Sequence, residues 1–150
     1  MTKEETYQSL LPQIESLVSG ETDSIANMAN ISAALHEAFG FWWTGFYRVK
    51  GNELVLGPFQ GPIACTRIPF GRGVCGTAWQ RGETVIVPNV HEFAGHIACS
   101  SASNSEIVVP VIQNNQVVAV LDIDSREFAT FDETDQRYLE TITKNLNIYD

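Results

Sequence analysis

Residues 105–125, "SEIVVPVIQNNQVVAVLDIDS", decide how this chain folds. Two apolar, β-branched runs flank an Asn-Asn dipeptide at 114–115, which predicts an antiparallel β-hairpin. A simple two-residue loop would place Ile107 opposite Asp122, so that an apolar face met an acidic one. A three-residue loop or a bulge shifts the pairing by one residue and sets Ile107 opposite Ile123. We expect the shifted register because it forms a continuous apolar core face.

The same register brings three acidic residues together on the other face of the hairpin. Glu106 lies opposite Asp124, and Val108 lies opposite Asp122. At about 5 Å and an effective dielectric near 20, repulsion between two such carboxylates is roughly 3 kcal/mol. A single acid usually extends into solvent, and all three could do so at the strand ends. Because three converge, we expect a site that binds a cationic group, such as an amino-acid ammonium, and keeps one carboxyl protonated as a proton donor.

Helices are predicted at both ends of the chain. Residues 9–18 and 22–40 have helical apolar spacing, and Pro12 is expected to kink or restart the first of them. Residues 132–149 form the closing helix, with Asp132 as its cap. The inward stripe of the second helix is expected to contain four apolar residues, Ile25, Met28, Leu35 and Phe39.

The middle of the chain predicts strands joined by turns. Residues 41–49 and 52–59 form a second antiparallel hairpin, residues 73–82 a short helix that ends at a glycine, and residues 84–88 a buried strand. Residues 88–104 form a long loop, and loops of that length in small domains tend to be functional. A central antiparallel sheet flanked by N- and C-terminal helices indicates the α+β class.

Composition and charge exclude several classes of protein. The chain has 150 residues, of which 44% are hydrophobic and 18% are charged, so we expect one domain spanning residues 1–150. Its net charge of −9 makes contact with a phosphate backbone unfavourable, so we expect no nucleic acid partner. The acidic, polar start differs from a signal peptide, and no apolar run approaches the ~20 residues of a membrane span. We therefore expect a cytoplasmic protein with no membrane partner.

The cysteines are Cys65, Cys75 and Cys99. Their odd number and the expected cytoplasmic location argue against a permanent disulfide framework. Each cysteine could therefore be a reactive thiol, a metal ligand or a buried thiol. Cys65 and Cys75 would each suit a small buried position. Cys99 lies in a run of Ser, Ala and Asn residues, so we expect it to be reachable.

Two aromatic residues of the first hairpin, Trp43 and Tyr47, have the same strand parity. Both could belong to the core. If they line a pocket, their rings could hold a small apolar group or a cationic centre.

Two other motifs give weaker indications. Residues 71–76, "GRGVCG", match a dinucleotide-binding pattern in their glycines, but a proline interrupts the preceding "CTRIPF" and no βαβ unit follows. A tight turn into a helix is the better interpretation. The second motif is a set of four potential zinc ligands, Cys75, His91, His96 and Cys99. Their spacing lacks a zinc-site pattern, so we expect no metal and no cofactor.

These motifs resemble those of a known family. The arrangement of helices and hairpins is similar to a GAF domain, and the Cys-x9-Cys-x23-Cys spacing runs through the three cysteines. Together with "GRGVCGTAW", "HIACSSASNSEIVVP" and "VLDIDS", this spacing resembles the free methionine-(R)-sulfoxide reductases. The resemblance covers essentially the whole chain.

The resemblance implies an enzyme and a set of site residues. Cys99 would attack the sulfoxide sulfur, release methionine and become a sulfenic acid, and Cys65 would resolve it as a disulfide that thioredoxin reduces. Cys75 would lie in the same site, and whether it or Cys65 resolves stays open. Glu106 would be the proton donor. The substrate-binding residues would be Trp43, Tyr47, Glu106, Asp122 and Asp124.

Two alternatives without turnover accompany this interpretation. A GAF-type sensor would bind a small molecule without changing it, and a thiol redox sensor would need only an oxidant. GAF domains often pair through terminal helices, so the resemblance also implies a possible homodimer.

Overall fold

A computed structural model of the protein describes residues 1–95 and 102–148. In these ranges the chain forms four α-helices and six β-strands. The helices are α1 (Lys3–Val18), α2 (Ser24–Phe39), α3 (Gly73–Arg81) and α4 (Glu133–Lys144). The strands are β1 (Trp43–Lys50), β2 (Glu53–Gln60), β3 (Arg67–Pro69), β4 (Val85–Val87), β5 (Ser105–Gln113) and β6 (Gln116–Ser125). No helix in the described ranges has the length and apolar character needed to cross a bilayer.

The six strands form one antiparallel sheet in the order β3-β2-β1-β6-β5-β4. The predicted α+β class and the helices at both ends of the chain are confirmed. Strand β3 was not predicted, because Pro69 reduces its strand signal. It lies at the sheet edge, where a missing N–H is tolerated.

The hairpin of β5 and β6 has the predicted shifted register. Ile107 pairs with Ile123, Glu106 with Asp124, and Val108 with Asp122. The turn itself has two residues, both asparagines with positive φ (51° and 64°), and the register shifts between Val111 and Ile112. A bulge after a two-residue turn therefore shifts the register, and a bulge was one of the two expected arrangements.

The prediction that the first helix restarts at Pro12 was wrong. Helix α1 begins at Lys3, is capped by a reciprocal bond pair between Thr2 and Glu5, and continues through Pro12. Tyr7, Leu10 and Ile14 lie on both sides of the proline and are all buried. Burial of this continuous apolar stripe stabilises one uninterrupted helix.

The expected stripe of α2 was wrong at one residue. Met28, Ile31 and Leu35 are buried, and Phe39 is partly buried, but Ile25 is 55% exposed. At 100° per residue, Ile25 lies roughly 90° from the centre of the buried stripe, so it faces solvent at the edge of the first turn.

The two faces of the sheet have different partners. One face, which includes Phe46, Ile107 and Leu121, forms a core with α1, α2 and α4. The opposite face carries Val108 and Val120 and packs against α3. Strand alternation sends the even-numbered acidic residues of β5 and β6 to the α3 face. The acids therefore lie on the side of the sheet that is covered by the shortest helix.

Candidate active site

A small cavity of about 50 Å³ opens between α3 and the middle of the sheet. Its walls combine aromatic, acidic and small side chains. The lining residues are Trp43, Tyr47, Ile63, Ala64, Ile68, Arg72, Gly73, Val74, Cys75, Ser103, Glu106, Asp122 and Asp124. The structure thus brings together all the predicted site residues of the described ranges except Cys65, which lies next to the lining residue Ala64. Cys99 and His96 lie outside the described residues.

The three acids occupy the cavity as buried or partly buried groups. Glu106 and Asp122 are 6% and 5% exposed, and Asp124 is partly exposed. The alternative in which these acids extend into solvent is therefore wrong. Ser103 donates a hydrogen bond from Oγ to Asp124 Oδ1 over 3.3 Å. Among the described residues, Asp122 Oδ1 has no hydrogen-bond partner although it is buried.

Burial and mutual repulsion raise the pKa values of the acids. Burial raises the pKa of Glu106 well above its ordinary value, and the charges of Asp122 and Asp124 add to the rise. Burial, followed by the charge of Asp122, also raises the pKa of Asp124 well above normal. The pKa of Asp122 is raised by burial, while contacts with Glu106 and Cys75 oppose the rise. A cluster of this kind retains protons at a pH where isolated carboxyls have lost them.

The two described cysteines differ in state. Cys75 on α3 is a free, buried thiol whose Sγ lies 4.0 Å from Glu106 Oε2. Burial and the nearby carboxylates raise the pKa of Cys75 well above its ordinary value. Cys65 is partly exposed and disulfide-bonded. Cys75 is therefore a neutral thiol at rest and a poor nucleophile.

Trp43 and Tyr47 form the aromatic wall of the cavity. Their ring centroids are 5.9 Å apart at an interplanar angle of 23°, and both side chains are buried. Trp43 Nε1 donates to the Pro62 carbonyl over 3.0 Å, and the Tyr47 hydroxyl donates to the Cys65 carbonyl over 2.8 Å. Burial raises the pKa of Tyr47, so the hydroxyl stays protonated. These two bonds fix the segment that carries Cys65 to strand β1.

The glycines of residues 71–76 make the tight turn into α3 that was expected. Gly71 and Gly73 have φ of 75° and 65°. A Cβ at Gly76 would lie 2.9 Å from the Pro69 carbonyl oxygen, so only glycine fits the close approach. The turn places Arg72 at the helix N-cap, where it lines the cavity and is exposed.

The alternative zinc set is not assembled by its described members. His91 is exposed, and its Nε2 lies 2.8 Å from Asn104 Oδ1. Among the described residues, the potential metal ligands that converge are Cys75, Glu106 and Asp122. The glycine motif and His91 thus have structural explanations outside cofactor binding, whereas His96 and Cys99 lie outside the described residues.

Seven lining residues were not predicted as site residues: Ile63, Ala64, Ile68, Arg72, Gly73, Val74 and Ser103. Ser103 has a signal in sequence, since it lies in the polar run before Glu106. Arg72 precedes a short helix, where an uncapped N-terminus attracts anions. Ile63 has no signal in sequence, because an apolar residue that is 89% exposed cannot be recognised before the cavity is known.

The sequence is similar to those of known proteins over nearly its whole length. The model of the GAF domain family matches residues 26–148. GAF domain-containing protein A of Dictyostelium discoideum is 60% identical, over 97% of this chain and 93% of that protein. Free methionine-R-sulfoxide reductase of Escherichia coli is 49% identical, over 97% of this chain and 89% of that protein.

A solved structure extends the comparison to three dimensions. The free methionine-R-sulfoxide reductase of Neisseria meningitidis, crystallised in complex with its substrate, is 57% identical. It superposes with a TM-score of 0.96, which covers 97% of this chain and 89% of that one. Identity at this level over nearly the whole length of both chains is far above what a shared fold alone requires. The chain therefore belongs to the free methionine-R-sulfoxide reductases, a family of oxidoreductases built on the GAF domain.

Proposed function

We propose that the cavity binds free methionine-(R)-sulfoxide and that Cys99 reduces it to methionine. The observation that carries this proposal is the buried acid cluster of Glu106, Asp122 and Asp124 beside an aromatic wall. Buried acids without a basic partner are costly, and a cationic ligand offsets that cost. A free amino acid brings an ammonium group of the required charge.

Different lining residues recognise different parts of the substrate. Asp122 Oδ1, which lacks a hydrogen-bond partner among the described residues, accepts a hydrogen bond from the ammonium. Trp43 and Tyr47 contact the aliphatic part of the side chain. A methionine sulfoxide within a peptide has no free ammonium, so its binding would leave the acids unpaired. Selectivity for the free amino acid follows from that difference.

The reduction needs a thiolate and a proton donor. The Cys99 thiolate attacks the sulfoxide sulfur, and Glu106 donates a proton to the oxygen. The S–O bond breaks as the oxygen is transferred, so that methionine leaves and Cys99 becomes a sulfenic acid. The raised pKa of Glu106 supports this role because the carboxyl still holds a proton near neutral pH.

The sulfenic acid is then resolved by Cys65. The Cys65 thiol attacks Cys99, the oxygen leaves as water, and a disulfide forms. The finding that Cys65 is disulfide-bonded, while Cys75 is a free thiol, supports Cys65 over Cys75 in this step. A dithiol, which we propose is thioredoxin, returns both cysteines to thiols and is itself oxidised to a disulfide. We further propose that the enzyme works in the cytoplasm as a homodimer.

Turnover of the separate epimers tests the proposal. The protein is incubated with dithiothreitol and either the R or the S epimer of free methionine sulfoxide, and free methionine is measured. We expect turnover of the R epimer, its loss in Cys99→Ser, and its retention in a Ser100→Ala control that alters the neighbouring residue. Absence of turnover with either epimer would contradict the enzyme and leave the two sensor functions.

The resolving residue needs its own measurement. Cys65→Ser and Cys75→Ser are each mixed with one equivalent of substrate and no reductant, and the thiols are then counted. Wild type and Cys75→Ser should form an intramolecular disulfide, whereas Cys65→Ser should stop at a sulfenic acid that dimedone traps. A disulfide in Cys65→Ser would assign the resolving step to Cys75.

A further inference from the structure

Three potential metal ligands converge deep in the cavity. The Cys75 thiol and one carboxylate oxygen each of Glu106 and Asp122 all lie within 4.8 Å of one another. All three residues are buried, and they come from three different elements, α3, β5 and β6. The proposed reaction gives Cys75 no step of its own, so the position of this thiol is otherwise unexplained.

The spacing of these atoms is close to that of a zinc site. With Zn–S near 2.3 Å and Zn–O near 2.0 Å, a tetrahedral ion holds sulfur and oxygen about 3.5 Å apart. Cys75 Sγ and Glu106 Oε2 are 4.0 Å apart. Small side-chain rotations would close the remaining distance of about half an ångström. One thiolate with two carboxylates suits Zn²⁺, whereas Mg²⁺ and Ca²⁺ favour sites made of oxygen alone.

An independent observation points to a missing cationic partner. Asp122 is 5% exposed, it lines the cavity, and its Oδ1 has no hydrogen-bond partner among the described residues. A buried carboxylate oxygen without a hydrogen-bond partner costs more free energy than a buried neutral group without one. A metal ion bound through Oδ1 would remove that cost.

The charges around the cavity also favour a cation. The described groups that line it and can carry charge are Tyr47, Cys75, three carboxyls and one arginine, Arg72. Arg72 is exposed, and no ion pair among the described residues joins it to these acids. A divalent ion would displace protons from the thiol and the carboxyls, as metal binding generally does.

We propose that the protein binds one Zn²⁺ ion through Cys75, Glu106 and Asp122. The ion uses the oxygen of Asp122 that the proposed function offers to the substrate ammonium, and the carboxyl of Glu106 that it makes the proton donor. Metal and amino acid therefore exclude each other, and this second statement rests on the proposed function. Zinc would hold the enzyme in a reversible inactive form, with water completing the coordination.

The oxidised protein provides the sharpest test of the metal site. In that form Cys65 is disulfide-bonded, Cys75 is a free thiol, and no reductant is needed that would itself bind zinc. Equilibrium dialysis against Zn²⁺ should give one ion per chain. Co²⁺ in its place should produce a thiolate-to-cobalt charge-transfer band.

Variants assign the ligands. Cys75→Ser should abolish the cobalt band and weaken zinc binding by more than about tenfold, since even the loss of an outer-shell partner costs about 10- to 100-fold. Asp122→Asn should also weaken binding, and the matched surface controls His91→Gln and Glu92→Gln should not. If Asp122→Asn does not fold, Cys75→Ser decides alone. Failure of wild type to retain zinc, or a band that persists in Cys75→Ser, would overturn the site.

Mutual exclusion is measured separately. Methionine, the reaction product, is titrated into oxidised protein while tryptophan fluorescence is followed, because Trp43 lines the cavity. One equivalent of Zn²⁺ should weaken methionine binding at least about tenfold, and excess EDTA should restore it. Equal binding to the metal-bound form would refute the exclusion. If methionine does not bind the metal-free protein either, the proposed function fails, whereas the dialysis result still decides the zinc site.

Discussion

Replacing Glu106 by glutamine should make the protein more stable and less active. Glu106 is directly opposite Asp124 in the sheet, and directly opposite side chains lie about 5 Å apart. At an effective dielectric near 20, two negative charges at that distance repel by about 3 kcal/mol. Glutamine keeps the shape of the side chain and removes this repulsion. We therefore expect a gain of about 2–3 kcal/mol in the free energy of unfolding once the wild-type acids ionise.

The gain should depend on pH with a defined sign. The pKa of Glu106 is raised by folding above its ordinary value of 4.5, so the folded state holds its proton over a range where the unfolded chain has lost it. The wild type is therefore most stable below that ordinary value, and it loses stability as the pH rises toward the raised pKa. Glu106→Gln removes this site from the titration. The two proteins should differ little near pH 4 and most near pH 9.

Thermal unfolding followed by circular dichroism measures the effect. For a chain of this length, 2–3 kcal/mol corresponds to an increase in Tm of roughly 4–12 °C near pH 9. The matched control is Glu37→Gln, an exposed acid of α2, for which we expect no change. Loss of the proton donor that we propose should reduce kcat by about 10²- to 10⁴-fold. A Tm of Glu106→Gln that equals or falls below wild type near pH 9 would refute the reasoning.

Three further substitutions test the backbone and the aromatic wall. Ala129→Gly should stabilise the protein by about 0.5–1 kcal/mol in urea unfolding, because φ of 51° at this residue suits glycine. A loss of stability would contradict backbone strain at Ala129. Gly76→Ala should destabilise the protein by about 1–3 kcal/mol in the same assay, because a Cβ would lie 2.9 Å from the Pro69 carbonyl oxygen. Unchanged stability would show that α3 can shift away from Pro69. Tyr47→Phe removes the 2.8 Å hydrogen bond to the Cys65 carbonyl and should cost about 1 kcal/mol in thermal unfolding, whereas unchanged stability would mean that solvent replaces the bond.

The division of the sheet into two faces explains how a small domain combines a stable core with a charged cavity. The core that one face forms with α1, α2 and α4 is mainly apolar, and it contains most of the large buried side chains. The other face is covered by the nine residues of α3, and this short helix leaves room for the cavity beside it. The unfavourable burial of three acids is therefore confined to one end of one face. The larger core offsets it.

Several features could be predicted because local patterns decide them. The register of the second hairpin follows from alternation along two strands, and a shift by one residue would have set Ile107 against Asp122. Asp132 caps α4 as expected, since capping depends only on neighbouring residues. The same pairing identified Glu106, Asp122 and Asp124 as one group before any tertiary structure was considered. The cysteine spacing, together with the motifs around it, already resembled that of the family.

Only the tertiary structure decided whether those groups are buried, and burial determines their chemistry. The packing of α3 over the sheet places Cys75 beside the acids and raises their pKa values, which no pattern within a strand can show. It also brings Arg72 and Ser103 to the cavity from loops that are distant in sequence. Likewise, the continuous helix through Pro12 follows from an apolar stripe that has a core to contact. Sequence determined which residues share a face, because that depends on neighbours along the chain. Solvent access and long-range contacts depend on the assembled fold, and they determine the charge state of the site.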